Sequence, residues 1–338
     1  MIKDLPQLIR SRDNWLSHEL FMQTALHMPE VGYYSSNIED IGLRGDFSTA
    51  ATMSDILAKA ILAEWKQACK LAGMKLPIIE VGAGNGALAQ KILSKIGFFK
   101  QWMINYHIVE SSPRLRDYQN LFLGNQVKVH DDIKKALKKC RGKAFIFSNE
   151  LVDAFAVRIL EFRNDEWLEV GLTTDGNQIK EELRPLTRPS ASSMIDFSAP
   201  EGQRIEVHDS YYEWLQSWIS DWQLGSFITI DYGNEMEELY HRNPKGTMRA
   251  YWKHQLFRNM DVYQCPGMMD LTCDVNFSDL IYWAKKHQII GETINLCSQR
   301  EFLLPHTSHS EQDSFLTNPY GAGEYFQVLK QDRYPNNI

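Results

Sequence analysis

Three glycines stand within five positions in the stretch IIEVGAGNGALAQKIL, residues 78–93. They are Gly82, Gly84 and Gly86, and they lie between an apolar run and a helical pattern. Because glycine has no Cβ, backbone N–H groups at such a turn, including that of Asn85, can approach a ligand closely. The turn therefore predicts a binding site for a nucleotide-like cofactor.

Two classes of cofactor fit this turn. Gly82, Gly84 and Ala87 match the G-x-G-x-x-A fingerprint of dinucleotide-binding folds, so a nicotinamide-dependent oxidoreductase is one alternative. Glu80 favours the other class, because its carboxylate can meet the positive amino end of S-adenosylmethionine but would repel a pyrophosphate. Glu110 closes the second predicted strand, where its carboxylate could accept both ribose hydroxyls.

A third acidic position follows the third predicted strand. Asp131 or Asp132 could bond the adenine amino group while Ile133 packs on the adenine ring. Acids at strand ends also cap helices, so capping alone is an alternative for these two residues. Acids at three successive strand ends predict S-adenosylmethionine as the cofactor and S-adenosylhomocysteine as its product.

The fourth predicted strand ends in SNELVDAFAV and contributes the candidate catalytic residues Asn149, Glu150 and Asp153. Ligands of open α/β folds bind at the carboxyl edge of the sheet, where these residues are expected. Methyl transfer requires alignment of the nucleophile with the methyl group and, for a charged nucleophile, removal of a proton. Glu150 and Asp153 could bind a guanidinium by charge-assisted hydrogen bonds, but a solvated helix start would also account for them.

Four further residues are secondary candidates for the site. Tyr33 and Tyr34 adjoin a glycine-rich loop, Asp231 ends the fifth predicted strand, and His254 could accept a proton. For each of the two tyrosines, simple packing is an equal alternative. A lone histidine or strand-end acid is likewise weak evidence for function.

Short apolar runs alternate with helical patterns from residue 76 onward, which predicts an α/β fold with a parallel, doubly wound sheet. The predicted strands are PIIEVG, NYHIVE, VKVHDDI, KAFIFSNE and GSFITIDYG, followed later by GETINL and EYFQVLKQ. Ser112 and Pro113 predict the N-cap and first position of a helix after the second strand. Residues 4–28 and 53–73 are also predicted to be helical.

The domain organisation follows from these elements. Residues 1–75 are predicted to form an N-terminal helical cap with a loop containing GYY and GDF, and residues 76–338 form the core. Insertions interrupt the core at about 155–224 and 234–270, and the first contains a hairpin in VRILEFRNDEWLEVGLTT. Within that insertion, aromatic residues repeat at helical spacing and predict core packing: Tyr211, Trp214, Trp218 and Trp222.

Composition narrows the possible functions. The 338 residues are 43% hydrophobic and 23% charged, which is typical of a globular protein, and the net charge of -7 argues against nucleic-acid binding. No apolar run is long enough for membrane insertion. Five cysteines without a CxxC pair, and no visible targeting peptide, predict a cytoplasmic chain. His306 and His309 lack nearby cysteine or acid ligands, so no metal is assigned.

Eight motifs, taken together and in order, resemble the MidA family of class I S-adenosylmethionine-dependent methyltransferases. They are GYYS, GDFSTA, EVGAGNGALAQKIL, NELVDAFAV, DYG, GTMRAY, PGMMDLT and EFLL, spread from about residue 28 to about residue 330. The resemblance implies a seven-stranded Rossmann-like core with an N-terminal helical cap and inserted β-hairpin and helical segments. Mitochondrial members of that family are arginine methyltransferases needed for assembly of respiratory complex I. An arginine of a protein partner, such as a respiratory-complex subunit or its homologue, is thus the implied substrate.

Carried over position by position, the resemblance implies that the three glycines and Glu110 bind the cofactor. The segment Gly45-Asp46-Phe47 would close over the cofactor, with Asp46 and Thr49 contributing to its site. Asn149, Glu150 and Asp153 would face the transferred methyl group, which agrees with their expected position at the strand end.

This sequence departs from the family pattern in the predicted substrate region. Thr49 leads into AATMSD where the family has a TSPEIS-like stretch, and Asp274 and Asn276 stand where histidine and aspartate are expected. These departures leave two alternatives open. One is a non-catalytic, cofactor-binding assembly or chaperone-like factor, and the other is a methyltransferase that acts on a different class of substrate.

Overall fold

The structure, a computed structural model, describes residues 5–37, 54–96, 104–253, 255–287, 294–308 and 310–334. Its strands, in chain order, are β1 Leu16–Ser17, β2 Ile78–Val81, β3 Tyr106–Val109, β4 Lys128–His130, β5 Phe145–Asn149, β6 Arg158–Arg163, β7 Glu166–Asp175, β8 Gln178–Pro185, β9 Arg204–Val207, β10 Gly225–Asn234, β11 Arg249–Trp252, β12 Gln255–Arg258, β13 Asp270–Thr272, β14 Val275–Asn276, β15 Ile294–Ser298 and β16 Phe326–Arg333. Its helices are α1 Leu5–Arg10, α2 His18–His27, α3 Ile56–Ala72, α4 Ala87–Ile96, α5 Pro113–Leu123, α6 Ile133–Lys139, α7 Asp209–Trp218, α8 Met236–Arg242, α9 Phe277–Lys286, α10 Gln299–Leu303 and α11 Glu311–Thr317. Among these described helices, none combines the length and apolar character needed to cross a bilayer.

The described residues form two compact units. The insertion unit comprises those within Met1–Glu39, Val152–Leu215 and Gly233–Tyr282. The sheet unit comprises those within Asp40–Leu151, Gln216–Tyr232 and Trp283–Ile338. The predicted cap, residues 1–75, therefore contributes residues to both units, because α2 lies in the insertion unit and α3 in the sheet unit.

The sheet unit is built on strands in the order β15-β16-β10-β5-β2-β3-β4. Neighbouring strands from β10 to β4 run parallel, and β16 runs antiparallel to both β10 and β15. The predicted α/β fold is confirmed. Because β2 and β3 are buried along their whole length, their near-continuous apolar runs fit a parallel sheet covered on both faces.

Helices bury their apolar faces against this sheet. On α3, Ile56, Ile61 and Trp65 join the same hydrophobic core as the strands, and the helix ends at Gly73 in a left-handed conformation. Ser112 accepts a hydrogen bond from the Leu115 N–H and caps α5, which confirms the predicted helix start. These helices set the positions of the loops at the carboxyl edge of the sheet.

The four aromatic residues predicted to pack in the core are divided between the two units, and two of them lie in the sheet unit. Trp218 and Trp222 are fully buried, and both rings meet Phe227 of β10 edge-on. In the insertion unit, Tyr211 is buried as well, and Trp214 is half-buried against Phe155. The prediction of core packing is therefore confirmed for the stripe, with Trp214 at its margin.

The insertion unit contains two antiparallel sheets. In one, β7 pairs with β1, β6 and β8, and β6 pairs with β9; in the other, the order is β12-β11-β13. The predicted hairpin is confirmed as β6 and β7, joined through Asn164 and Asp165, which both have positive φ. Asparagine and aspartate tolerate this conformation, so the tight turn matches the right-handed twist of the strands.

The single helix predicted over residues 4–28 is wrong, because the chain forms α1, β1 and α2 there. Asp13 and Asn14 adopt φ values of 55° each and end the helical path after α1. Ser17 then starts α2, since its hydroxyl accepts a hydrogen bond from the Leu20 N–H at 3.2 Å. Short polar side chains that favour turns and caps override the helical periodicity here.

Candidate active site

The glycine turn between β2 and α4 requires glycine at specific positions. Gly82, Gly84 and Gly86 have φ values of 72°, 54° and 75°, a region that L side chains rarely adopt. A Cβ on Gly82 would also lie 2.7 Å from Leu151 Cδ1. Asn85 accepts a hydrogen bond from the Ala87 N–H at 3.1 Å and so starts α4. The turn thus presents backbone rather than side chains to a ligand.

A buried glutamine connects this turn to Glu110. The Gln119 Nε2 atom donates to the Gly84 carbonyl oxygen at 2.8 Å and reaches Glu110 Oε2 at 3.4 Å. Sequence reasoning did not identify Gln119. The signal was a polar residue in an apolar stripe of α5, since Leu115, Gln119 and Leu123 recur every four residues and are all buried.

Glu110 follows β3 directly and is positioned by the start of α5. Its Oε1 accepts the Ser112 N–H at 3.0 Å. Burial raises the pKa of the Glu110 carboxyl, and the hydrogen bonds from Ser112 and Gln119 act in the opposite direction. A carboxyl held this way at a strand end can accept hydrogen bonds from ribose hydroxyls, as the sequence predicts.

Glu80 differs from the sequence prediction in its position and in the pKa of its carboxyl group. It lies inside β2, between Ile108 and Phe147 of the neighbouring strands, and its Oε2 accepts a hydrogen bond from the Tyr106 hydroxyl at 2.6 Å. Burial raises the pKa of Glu80 to about 8, and Tyr106 lowers it only in part. The raised pKa reduces the negative charge that Glu80 carries at neutral pH, so this charge is a weaker argument against a pyrophosphate than the sequence predicts.

The acids after β4 are engaged in local contacts. Asp131 pairs with Lys135 at the surface, and Asp132 accepts the Lys134 N–H at 2.6 Å as the N-cap of α6. Ile133 is buried beneath them. Capping thus accounts for the geometry of Asp132, and the contact of these residues with adenine stays a prediction.

The end of β5 holds Glu150 in an unusual conformation. Its φ is 53°, although a side chain of this size rarely adopts positive φ, and such strain concentrates at functional sites. Asn149 Nδ2 donates to Glu150 Oε1 at 2.9 Å. Asp231 supports the turn, since its carboxylate accepts the N–H groups of Leu151 at 3.1 Å and of Tyr232 at 3.0 Å.

In the insertion unit, strand β13 contacts two buried acids, Asp153 from the turn Val152–Ala154 and its own Asp270. Thr272 donates its hydroxyl to Asp153 Oδ2 at 3.0 Å, and Asp270, two residues earlier, accepts the Tyr34 hydroxyl at 2.7 Å. Tyr34 stacks on His27, and burial raises the pKa of its phenol well above the usual value. The GYYS and PGMMDLT motifs therefore meet in the fold through Tyr34 and Asp270.

Three predicted site residues, Asp46, Thr49 and His254, lie outside the described residues. Among those described, the glycine turn, Gln119 and Glu110 fit an adenosyl cofactor. Two buried side-chain oxygens near them, Gln119 Oε1 and Asn149 Oδ1, have no hydrogen-bond partner within the described chain. Buried polar atoms in native proteins are nearly always hydrogen-bonded, so each of these oxygens could accept a hydrogen bond from a ligand or from residues outside the described ranges.

Known proteins resemble this chain over most of its length. The model of a family described as "Putative S-adenosyl-L-methionine-dependent methyltransferase" matches residues 56–292. The mitochondrial protein arginine methyltransferase NDUFAF7 of Danio rerio is 28% identical over 315 residues, covering 84% of this chain and 71% of that protein. Its Homo sapiens counterpart is 27% identical over 292 residues, covering 77% and 63%. A crystal structure from Burkholderia thailandensis, bound to S-adenosyl-homocysteine, matches with a TM-score of 0.83 and 26% identity over 97% of this chain and 90% of that one.

Proposed function

Because the chain belongs to the family of S-adenosyl-L-methionine-dependent methyltransferases, we propose that it methylates an arginine side chain of a protein. The predicted cofactor, S-adenosyl-L-methionine, is confirmed, and the nicotinamide alternative is withdrawn. Relatives named protein arginine methyltransferases support arginine as the acceptor. The observation that carries the proposal is Glu150, a carboxylate held in a strained conformation at the end of β5.

When bound, the cofactor supplies an electrophilic methyl group on a positively charged sulfur. The chain's own groups orient it: the glycine turn offers backbone N–H groups, and Glu110 accepts hydrogen bonds from ribose hydroxyls. Gln119 holds the glycine turn and Glu110 at a fixed separation through its side-chain amide. Such fixed positioning lowers the entropic part of the barrier to an in-line displacement.

Glu150 is proposed to bind the guanidinium of the substrate arginine. A carboxylate can accept two N–H groups of a guanidinium at once, which orients the remaining nitrogen for attack. The proton that this nitrogen loses after methylation can pass to a carboxylate oxygen. Asn149 orients Glu150 by its hydrogen bond to Oε1. Asp153 accepts the Thr272 hydroxyl within the insertion unit, and its catalytic role stays a prediction from the sequence.

The test is methyl transfer from labelled cofactor to lysate proteins, with mass mapping of the modified residues. We expect Glu150→Ala to lower kcat by roughly 100-fold, while S-adenosyl-homocysteine binding stays within about twofold of the wild type. Glu166→Ala, an exposed acid at the start of β7, is the control and should retain full activity.

Three outcomes would contradict the proposal. Undiminished methylation by Glu150→Ala would remove this residue from the mechanism. Label on residues other than arginine would favour a methyltransferase of a different substrate class. Cofactor binding without turnover on any protein fraction would favour the non-catalytic assembly factor.

The proposed location is the cytoplasm, and the proposed partner is a respiratory-complex subunit or its homologue. All five cysteines are free thiols, which suits a reducing compartment. The relatives above are named as mitochondrial proteins. Cell fractionation with an antibody against this chain tests the location, and the mass-mapped substrates test the partner.

A further inference from the structure

The insertion unit contains a cavity of about 260 Å³ whose lining includes none of the predicted site residues. Besides Arg204 of β9, three segments with basic residues border it: the end of α8, the loop after α8, and the end of β12. Their cations are Arg242, Lys245 and Arg258. The glycine turn, Glu110, Glu150 and Asp153 are absent from its lining, so the cofactor and the reacting groups do not explain it.

The acids that line this cavity, Glu181 and Glu206, accept hydrogen bonds from neighbouring groups, although Glu206 Oε2 has no partner among the described residues. Glu181 binds Arg204 at 2.7 Å and accepts the Tyr263 hydroxyl at 2.9 Å. Glu206 is buried, and its Oε1 accepts the N–H groups of Thr247 and Met248, at 2.5 Å and 3.1 Å. Burial raises the pKa of Glu206, which further reduces the negative charge on this wall.

The three cations Arg242, Lys245 and Arg258 are neutralised less completely than the two acids. Within the described chain, Arg258 makes no side-chain hydrogen bond or ion pair, and Lys245 reaches only the Gly202 carbonyl oxygen at 3.5 Å. Arg242 pairs with Glu238 at an exposed (i, i+4) position, and such pairs exchange easily because they contribute little. The cavity therefore carries net positive charge, although the whole chain has a net charge of -7.

The neighbouring strand indicates what kind of anion fits. Arg258 ends β12, which pairs with β11 and lies at the edge of its three-stranded sheet in the described residues. An edge strand presents N–H and C=O groups that can pair with an extended peptide. A peptide carboxylate beside that edge would lie next to Arg258 and the cavity.

We propose that this cavity and the adjoining edge of β12 bind an acidic peptide segment of the protein substrate, an inference that rests on the proposed protein methylation. The carboxylates of that segment pair with Lys245 and Arg258. A further carboxylate replaces Glu238 as the partner of Arg242. Charge pairs of this type steer association and select partners. The site thus adds selection of acidic sequences to the recognition of an arginine.

The experiment measures fluorescence anisotropy of a labelled hexaglutamate peptide with the full chain and no cofactor. We expect Lys245→Gln/Arg258→Gln to weaken binding roughly tenfold, because two charge pairs are lost. Lys66→Gln/Lys70→Gln removes the same charge from exposed positions of α3 and is the matched control, which should bind like the wild type. Wild-type binding should also fall with added salt.

Four results would overturn the inference. The first three are equal loss of binding in the control variant, no binding by the wild type, and tighter binding of hexalysine than of hexaglutamate. Displacement of the peptide by inorganic phosphate at equal concentration would identify a phosphate site instead and also overturn it. S-adenosyl-homocysteine binding, measured separately by calorimetry, should be equal in all variants. Because the peptide assay needs no turnover, its failure is distinguishable from failure of the proposed methylation.

Discussion

The side-chain amide of Gln119 donates a hydrogen bond to the backbone carbonyl oxygen of Gly84 at 2.8 Å. The same nitrogen reaches Glu110 Oε2 at 3.4 Å, so one buried side chain links the glycine turn to the carboxyl group expected to hold the ribose. The proposed cofactor site therefore includes a residue of α5 that stands outside every recognised motif.

We expect Gln119→Ala to weaken S-adenosyl-homocysteine binding roughly tenfold, because loss of a buried hydrogen bond costs about 1 to 2 kcal/mol. Isothermal titration calorimetry measures this change. Asn120→Ala alters the exposed neighbour on the same helix and should leave the affinity unchanged. Equal affinities for both variants would show that the link through Gln119 does not contribute to cofactor binding.

Gly82→Ala should abolish cofactor binding and lower the free energy of unfolding by more than Gly73→Ala does. Both glycines have similar positive φ, 72° and 63°, so each alanine meets the same backbone strain of about 1 to 2 kcal/mol. Only the new Cβ at Gly82 approaches Leu151, since nothing lies within 4 Å of a Cβ at Gly73. Urea unfolding of the two variants measures the effect of this contact. Equal losses in the free energy of unfolding would show that the contact with Leu151 does not destabilise the protein.

Acid should destabilise the protein through His107. Burial, then the charges of His130 and Lys128, lower the pKa of His107 to about 4, against 6.5 in the unfolded chain. Between pH 6.5 and pH 4 the unfolded state binds more protons, so stability falls as pH decreases through this window, by about 2 kcal/mol.

The measurement is the urea midpoint of wild type and His107→Asn from pH 7 to pH 4.5. The variant should show a shallower decline, whatever its absolute stability. His241→Asn changes an exposed histidine on α8 and should keep the wild-type slope. If the urea midpoint of His107→Asn declined with pH as steeply as that of the wild type, His107 would be excluded as the source of the acid destabilisation.

Arg158→Ala should destabilise the insertion unit by about 3 to 5 kcal/mol, because two buried carboxylates would lose their counter-charge. Arg158 binds Glu169 at 2.9 Å and Asp209 at 3.0 Å, and all three side chains are almost fully buried. Lys180→Ala breaks an exposed pair with Asp175 and should cost under about 1 kcal/mol. Thermal unfolding compares the two, and similar shifts in Tm would contradict a special role for the buried triad.

The central sheet and its glycine turn could be predicted from sequence because their signals are local. Apolar runs of strand length and the Ser112-Pro113 helix start do not depend on tertiary context. The turn at Asp13 and Asn14 was not predicted, because the turn preference of these two short polar residues is a weaker local signal than the helical periodicity around them.

Other features of the candidate site depend on packing and could not be predicted. The raised pKa of Glu80 follows from complete burial between two strands, which residue type alone does not reveal. The positive φ of Glu150 likewise occurs where long-range hydrogen bonds hold the chain after β5, including that of the Leu151 N–H to Asp231. Long-range partners of this kind are absent from any local pattern.

Strand β16 constrains the order in which the protein can assemble. It lies between β10 and β15, although β15 precedes it in the chain. During synthesis, β15 therefore leaves the ribosome before the strand that must accept it exists, and β10 keeps one unpaired edge for the same period. Exposed edges of this kind favour aggregation, so we expect nascent chains that stall before Phe326 to need protection by chaperones.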